Sequence, residues 1–187
     1  MMKLLARLVL FVTGWRVKGK IPPNITQAVM IAAPHTSNWD IVYALAALYM
    51  LDAPVKFTIK KEWMRRFPFG LILRPLGAIP IDRNPHGNKK IGMVEAMINL
   101  FEEHEKLVVL VPPEGTRQYA ERWRTGFYHV AVGAQVPILL GFLDYKNKEA
   151  GVLDTVIEPT GHAEEDIERI KSFYRPIMGK HPERGVR

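Results

Sequence analysis

At 187 residues and 21.3 kDa the chain is long enough for one domain of ordinary size that buries well over half of its unfolded surface, so folding requires neither disulfides nor metal. Hydrophobic residues make up 48% and charged residues 24%, which excludes collagen-like, disordered and coiled-coil classes; the absence of cysteine excludes disulfide scaffolds, Cys-based zinc sites and thiol nucleophiles. The net charge of +7 is uneven: residues 1–93 carry 14 Lys/Arg against 4 Asp/Glu, and residues 94–187 carry 12 against 15. A basic half implies an anionic partner, with nucleic acid, lipid headgroups, a phosphorylated substrate and an acidic protein all open.

In residues 1–20, Leu4, Leu5, Leu8, Val9 and Val12 recur at helical spacing while Lys3 and Arg7 lie on another face, followed by Trp15, Arg16, Lys18 and Lys20. The apolar stretch is too short to span a bilayer, which needs about 20 apolar residues. No convincing small-residue cleavage site supports a signal peptide. Two readings remain: an amphipathic helix lying in a membrane interface with Trp15 at headgroup level, or a helix packed on the domain.

Beyond it, short apolar runs at 28–33, 55–59, 78–81, 107–111, 136–142 and 155–157 read as strands, several continuous enough to be buried on both faces. Helical patterns fill 39–51, 89–104 (Ile91, Val94, Ile98 and Phe101 as its apolar stripe) and 164–174, the last with an acidic first turn. The alternation predicts an α/β fold, a single-domain αβ sandwich with a mixed, largely parallel central sheet flanked by helices. The expected division is 1–20, an N-terminal amphipathic membrane-interface helix, and 21–187, the main domain.

The chemistry-bearing residues cluster at predicted strand ends, where open α/β sheets bind ligands. Pro34-His35-Thr36-Ser37-Asn38-Trp39-Asp40 follows the first long strand. On a continuous helix His35 and Asp40 would point about 140° apart. If a strand closes at His35 and Thr36, Ser37 or Asn38 caps a helix beginning near Trp39, the Asp40 carboxylate reaches back to the imidazole and the pair has the parts of a general base. The spacing alone is weak, since His and Asp are common. Gly77–Arg83 and the run Pro113-Glu114-Gly115-Thr116-Arg117 place Arg83 and Arg117, forks suited to phosphate, at two further strand ends; taken singly, each arginine reads better as a surface residue paired with neighbouring Asp82 or Glu114.

Together with Val136-Pro137-Ile138, these four segments resemble, in order and spacing, the motifs of the glycerolipid acyltransferase family of the 1-acylglycerol-3-phosphate acyltransferase type, over residues 28–145. Five consecutive matches at Pro113–Arg117 make this specific where the His-Asp spacing is not. Trp123-Arg124-Thr125-Gly126-Phe127 is similar to the family's downstream aromatic-basic segment. The resemblance implies an O-acyltransferase in phospholipid biosynthesis that moves a fatty acyl group from a thioester of acyl carrier protein or coenzyme A to a lysophospholipid hydroxyl. It implies His35 as general base, Asp40 as its orienting carboxylate, and Arg83, Glu114, Gly115, Thr116, Arg117 and, more weakly, Arg124 at the acceptor. No Gly-x-Ser-x-Gly motif is present, so direct transfer fits better than an acyl-enzyme. No metal and no cofactor beyond the thioester co-substrate are implied, and the expected location is peripheral, at the cytoplasmic face of the inner membrane. The chain departs from the family pattern at Pro34, Pro112 and Gln118; the Pro34-to-Asp40 string resembles a small bacterial branch of the family, and the acceptor extends to other lyso-lipids such as a lyso-aminolipid.

Two other classes stand beside the enzyme. A nucleic-acid-binding domain is suggested by Lys60, Lys61, Arg65 and Arg66 around Trp63 and Met64, without any accompanying motif. A catalytically silent lipid-binding homologue is opposed by the intact His35 and Asp40. The remaining histidines lack metal-ligand spacing, and the tail 180–187 reads as irregular.

Overall fold

The computed structural model describes residues 2–60, 64, 65, 70, 71, 74, 76–81 and 92–187. Among the described residues seven strands, β1 (Arg16–Lys18), β2 (Gln27–Ala33), β3 (Val55–Lys60), β4 (Ala78–Ile81), β5 (Leu107–Val111), β6 (Ile138–Asp144) and β7 (Glu149–Ile157), form one sheet in the order β1-β7-β6-β2-β5-β3-β4. Neighbours run parallel except for the β6–β7 hairpin, which gives the mixed, mostly parallel α/β sheet expected.

Why the central strands read as unbroken apolar runs is visible in their side-chain alternation. From β2, Val29 and Ile31 point with Leu107, Val109, Ile138 and Leu140 into one core, beneath helices α3 (Met93–Glu103), α4 (Gly126–Ala134) and α5 (Ala163–Tyr174). Ala28 and Met30 point the other way, with Val108, Leu110 and Leu139, under α2 (Asp40–Met50). Both sheet faces are therefore covered. Each fully buried Leu or Ile contributes about 1.5–3 kcal/mol relative to an exposed one, so an alternating polar pattern here would have been destabilising.

Helix α1 (Met2–Thr13) buries Ala6 and Leu10 against α2 and leaves Leu4, Leu5, Leu8, Phe11 and Val12 exposed. Packing on the domain thus uses one side of the helix, and an apolar side remains outward. Among the described residues no helix is long and apolar enough to cross a membrane.

Elements without a strong period depart from expectation. The three-residue edge strand β1 pairs with β7 and carries too few residues to show alternation. Strand β7 reaches back to Glu149, six residues earlier than its apolar end suggests, because Gly151 and Asp154 interrupt the pattern. Strand β6 starts at Ile138 rather than at 136, since Gln135 (φ 54°) and Val136 close α4 through amides bonded to Val132 and Ala131 carbonyls. Helix α4 itself was not expected: Gly126, Gly133 and β-branched Val130 and Val132 lower its propensity, and burial of Phe127, Tyr128, Val130 and Ala131 overrides it. The tail is irregular apart from the short turn Pro182–Arg184, and it meets the motif loop where the His181 amide donates to Thr36 Oγ1 at 3.3 Å; just before the tail, the Met178 carbonyl accepts from the Tyr145 amide at 2.8 Å.

Candidate active site

Strands β6, β2 and β5 are parallel neighbours in matched register, with Ile31 opposite both Leu140 and Val111, so their C-terminal ends open on one edge of the sheet. Each end delivers one polar group to the same place: His35 beyond β2, Glu114 beyond β5 and Tyr145 beyond β6. The fourth, Asp40, comes from the first residue of α2.

His35 Nδ1 lies 3.0 Å from Asp40 Oδ2. The expected pairing is present, and Ser37 supplies the expected cap: its Oγ accepts from the Trp39 amide at 3.3 Å, while Trp39, the residue next before α2, makes no side-chain cap of its own. In return Asp40 Oδ2 accepts from the Thr36 and Ser37 amides, both at 2.8 Å, so the carboxylate folds the loop back on itself. Its other oxygen, Oδ1, accepts from the Tyr145 hydroxyl at 2.7 Å. Asp40 is buried, which alone would push its carboxyl up; the bonds from His35, Tyr145 and the Ser37 amide outweigh burial and hold it below the usual value. An ionised carboxylate only accepts, so Nδ1 carries the proton and Nε2 is the ring's basic nitrogen.

Glu114 stands behind the loop. Its Oε1 accepts from the His35 backbone amide at 3.0 Å, and its buried Oε2 has no partner among the described residues. It is therefore not the surface partner of Arg117. Burial pushes its carboxyl up to about 6, against a partial offset from backbone donors. A carboxyl raised from 4.5 to about 6 on folding contributes nothing below pH 4.5, where both states hold the proton, and costs about 2 kcal/mol once pH exceeds 6. Glu114→Gln removes that ionisation. Its effect on stability should accordingly be more favourable at pH 8 than at pH 4 by about 2 kcal/mol, read from urea unfolding at both pH values. A mutational effect independent of pH would contradict this electrostatic picture.

The acceptor-side residues are brought together in part. Gly115 takes φ +66°, and an added Cβ would come within 2.8 Å of Arg124 Nε; the Arg124 amide also donates to the Pro113 carbonyl at 2.8 Å. Arg124 is thus folded over the Glu114–Gly115 turn, whereas the resemblance gave it only a minor place. Thr116 and Arg117 are exposed on the same turn, with Thr116 Oγ1 accepting from the Gln118 amide. Arg83 lies outside the described residues, as do Lys61, Trp63 and Arg66 of the basic-aromatic cluster and Ile91 of the α3 stripe.

A cavity of about 340 Å³ opens in front of the pair, lined by His35, Asn38, Asp40, Ile41, Phe57 and Leu110 among others. A second, of about 320 Å³, lies between α1 and α2 and is walled by Leu5, Val9, Val42 and Leu45. Ile41 and Phe57 border both, so the two cavities are neighbours across these side chains. Each falls at the lower end of the small-molecule range, roughly 300–1,000 Å³.

Tyr145 is the site residue that sequence reading missed. Its separation of 105 residues from Asp40 hides the contact, although its place just beyond a buried strand is the same signal that marked His35.

A family model described as acyltransferase matches residues 15–139. The chain is 30% identical over 90 residues, 48% of its own length and 32% of the relative's, to a 1-acyl-sn-glycerol-3-phosphate acyltransferase of Streptococcus pneumoniae. It thus spans about a third of that curated relative. Its fold is similar to that of the 1-acyl-sn-glycerophosphate acyltransferase of Thermotoga maritima, with a TM-score of 0.63 over 92% of this chain and 74% of that one, at 15% identity.

Proposed function

Because the chain belongs to the acyltransferase family, we propose that it transfers a fatty acyl group from an acyl thioester to the free hydroxyl of a lysophospholipid such as 1-acylglycerol-3-phosphate, within phospholipid biosynthesis. The observation that carries this reading is the His35–Asp40 pair at 3.0 Å, standing at a cavity that shares its Ile41 and Phe57 wall with an apolar one.

The acceptor hydroxyl sits against His35 Nε2. Its oxygen attacks the thioester carbonyl carbon as its proton passes to Nε2, and the Asp40 charge stabilises the imidazolium. Collapse of the tetrahedral oxyanion breaks the C–S bond, and the leaving thiolate takes the proton back from the imidazolium. The ester forms, the ring returns to its starting state, and no group on the protein is acylated. Arg117 and Arg124, with Arg83, supply charge for the acceptor phosphate; Glu114, Gly115 and Thr116 shape the turn that presents them. The donor is a thioester of acyl carrier protein or coenzyme A, and its chain fits the apolar cavity between α1 and α2.

The exposed apolar side of α1, together with Trp39, Ile41 and Val42 at the start of α2, supports peripheral attachment to a membrane surface, in this reading the anionic cytoplasmic face of the inner membrane. In this reading residues 1–20 form the membrane-interface segment of a chain whose remaining residues, 21–187, carry the chemistry.

The test is acyl transfer by the purified protein with a panel of lysophospholipids and lyso-aminolipids, each offered with acyl carrier protein and coenzyme A thioesters. Acceptors are presented in anionic vesicles or in neutral detergent. Product from at least one pairing, made faster on anionic vesicles, is expected. No product from any pairing would end the enzymatic reading, and equal rates in the two presentations would end its membrane part.

A further inference from the structure

Tyr145 follows β6, on the strand end beside that of His35, and ties that end to the loop holding His35 through Asp40. Its hydroxyl meets Asp40 Oδ1 at 2.7 Å, on the oxygen not used by the Thr36 and Ser37 amides. Its ring is seated from two directions. Trp15, just past the end of α1, meets it edge-on with centroids 4.8 Å apart and stacks on Tyr43 of α2 at 4.2 Å; Tyr43 in turn meets Tyr145 edge-on at 5.9 Å. The Tyr145 amide is bonded to the Met178 carbonyl, so its backbone is also held by the C-terminal segment. A hydroxyl so placed has one direction in which to donate.

We infer that Tyr145 is the third member of the His35–Asp40 unit, a positioning residue whose hydroxyl fixes and shares the Asp40 charge and whose ring ties that unit to the residue at the end of α1. The inference rests on the acyltransferase reading above. Burial, and then the bond to Asp40, push the phenol well above its usual range, so it remains a protonated donor across the working pH range. The groups facing Asp40 are His35 from the β2–α2 loop, Tyr145 beyond β6 and Glu114 beyond β5, with Tyr43 beside the phenol. From the C-terminal segment, Lys180 lies over the neighbouring Trp39 ring and the His181 amide bonds Thr36.

Removing the hydroxyl leaves the Asp40 charge undivided, which favours the protonated imidazole, the inactive form of the base. The carboxylate also binds a proton more readily, which would act the other way, but Asp40 is held below the usual carboxylate range and stays ionised near neutral pH, so the first effect prevails there. With Tyr145→Phe, kcat should fall about tenfold at pH 7 with KM little changed, and the acid limb of the kcat–pH profile should move up by about one unit. Trp15→Phe keeps the hydroxyl but loosens the seat of the ring, and should move the limb the same way by less. Thermal unfolding of both variants is followed alongside.

The measurement uses the full chain and whichever donor and lyso-lipid pair gives product in the panel. An upward limb shift in either variant supports the inference. A lower kcat with the limb in place means that Tyr145 serves the fold alone and overturns it, as does a profile that superimposes on that of the unsubstituted protein. No transfer by the unsubstituted protein with any pair overturns the functional reading, and this inference with it, which separates the two failures.

Discussion

His35→Ala should lower kcat/KM for acyl transfer by about 10³–10⁴-fold, at the upper end of what a positioned general base supplies, while the protein stays folded. The fold survives because the ring is a bystander to the loop's own bonds. Asp40 retains three of its four donors, the Thr36 and Ser37 amides and the Tyr145 hydroxyl, and Glu114 bonds the residue-35 amide, which any side chain leaves in place. The His35 side chain is 27% exposed, so its truncation opens the site toward solvent and leaves no sealed core cavity. Steady-state kinetics with the active pair, and a thermal melt, check both halves. This variant also separates the enzyme from a silent lipid-binding homologue. Lysophospholipid binding should persist in His35→Ala while turnover is lost; transfer that survives the substitution would remove His35 from the chemistry.

What could be read in advance follows physical strength of signal. Strands β2 and β5 were legible because a strand covered on both faces must be apolar at nearly every position, as Val29, Met30, Ile31 and Val108, Val109 are. Strand β1 and helix α4 were not, since three residues carry no period and two glycines mask a helix whose stability comes from the packing of Phe127 and Tyr128. In the site, the His35–Asp40 encounter was legible from the chemistry of a strand end. So was part of its support, since Ser37 Oγ accepts from the Trp39 amide as a cap does; the reciprocal hold of Asp40 on the Thr36 and Ser37 amides was not. Glu114 was visible as part of a motif. Its burial behind the His35 amide depends on β2 and β5 being neighbours, which no local pattern states. Tyr145 required the β6–β2 pairing as well.

Asp40→Asn and Asp40→Ala should differ, and the difference isolates charge from architecture. In Asp40→Asn the carbonyl oxygen can occupy the place of Oδ2, where the Thr36 and Ser37 amides demand an acceptor. The amide nitrogen then takes the place of Oδ1 and faces Tyr145, whose hydroxyl can rotate to accept. The opposite rotamer would set NH₂ against two backbone N–H groups and is excluded by that clash of donors. In the permitted rotamer His35 Nδ1 still finds an acceptor, so tautomer and orientation persist and only the carboxylate charge is lost. The expected rate loss is therefore about 10²–10³-fold, smaller than the roughly 10⁴-fold seen where such a replacement imposes the wrong tautomer. Asp40→Ala strips the acceptor altogether. Two buried amides and the Tyr145 hydroxyl lose their partner at about 1–3 kcal/mol each, partly relieved by entering water, so a destabilisation of about 3–5 kcal/mol accompanies loss of turnover. The pH dependence carries the same logic. A carboxyl held below its usual value of 3.8 in the folded state contributes stability that is present above that value and lost as pH falls through the lowered one. That component should vanish from acid unfolding curves in both variants. Equal stability of Asp40→Asn and Asp40→Ala would mean that the carboxylate does not hold the loop, and a loss of 10⁴-fold or more in Asp40→Asn would mean that the amides of Thr36 and Ser37 do not choose its rotamer.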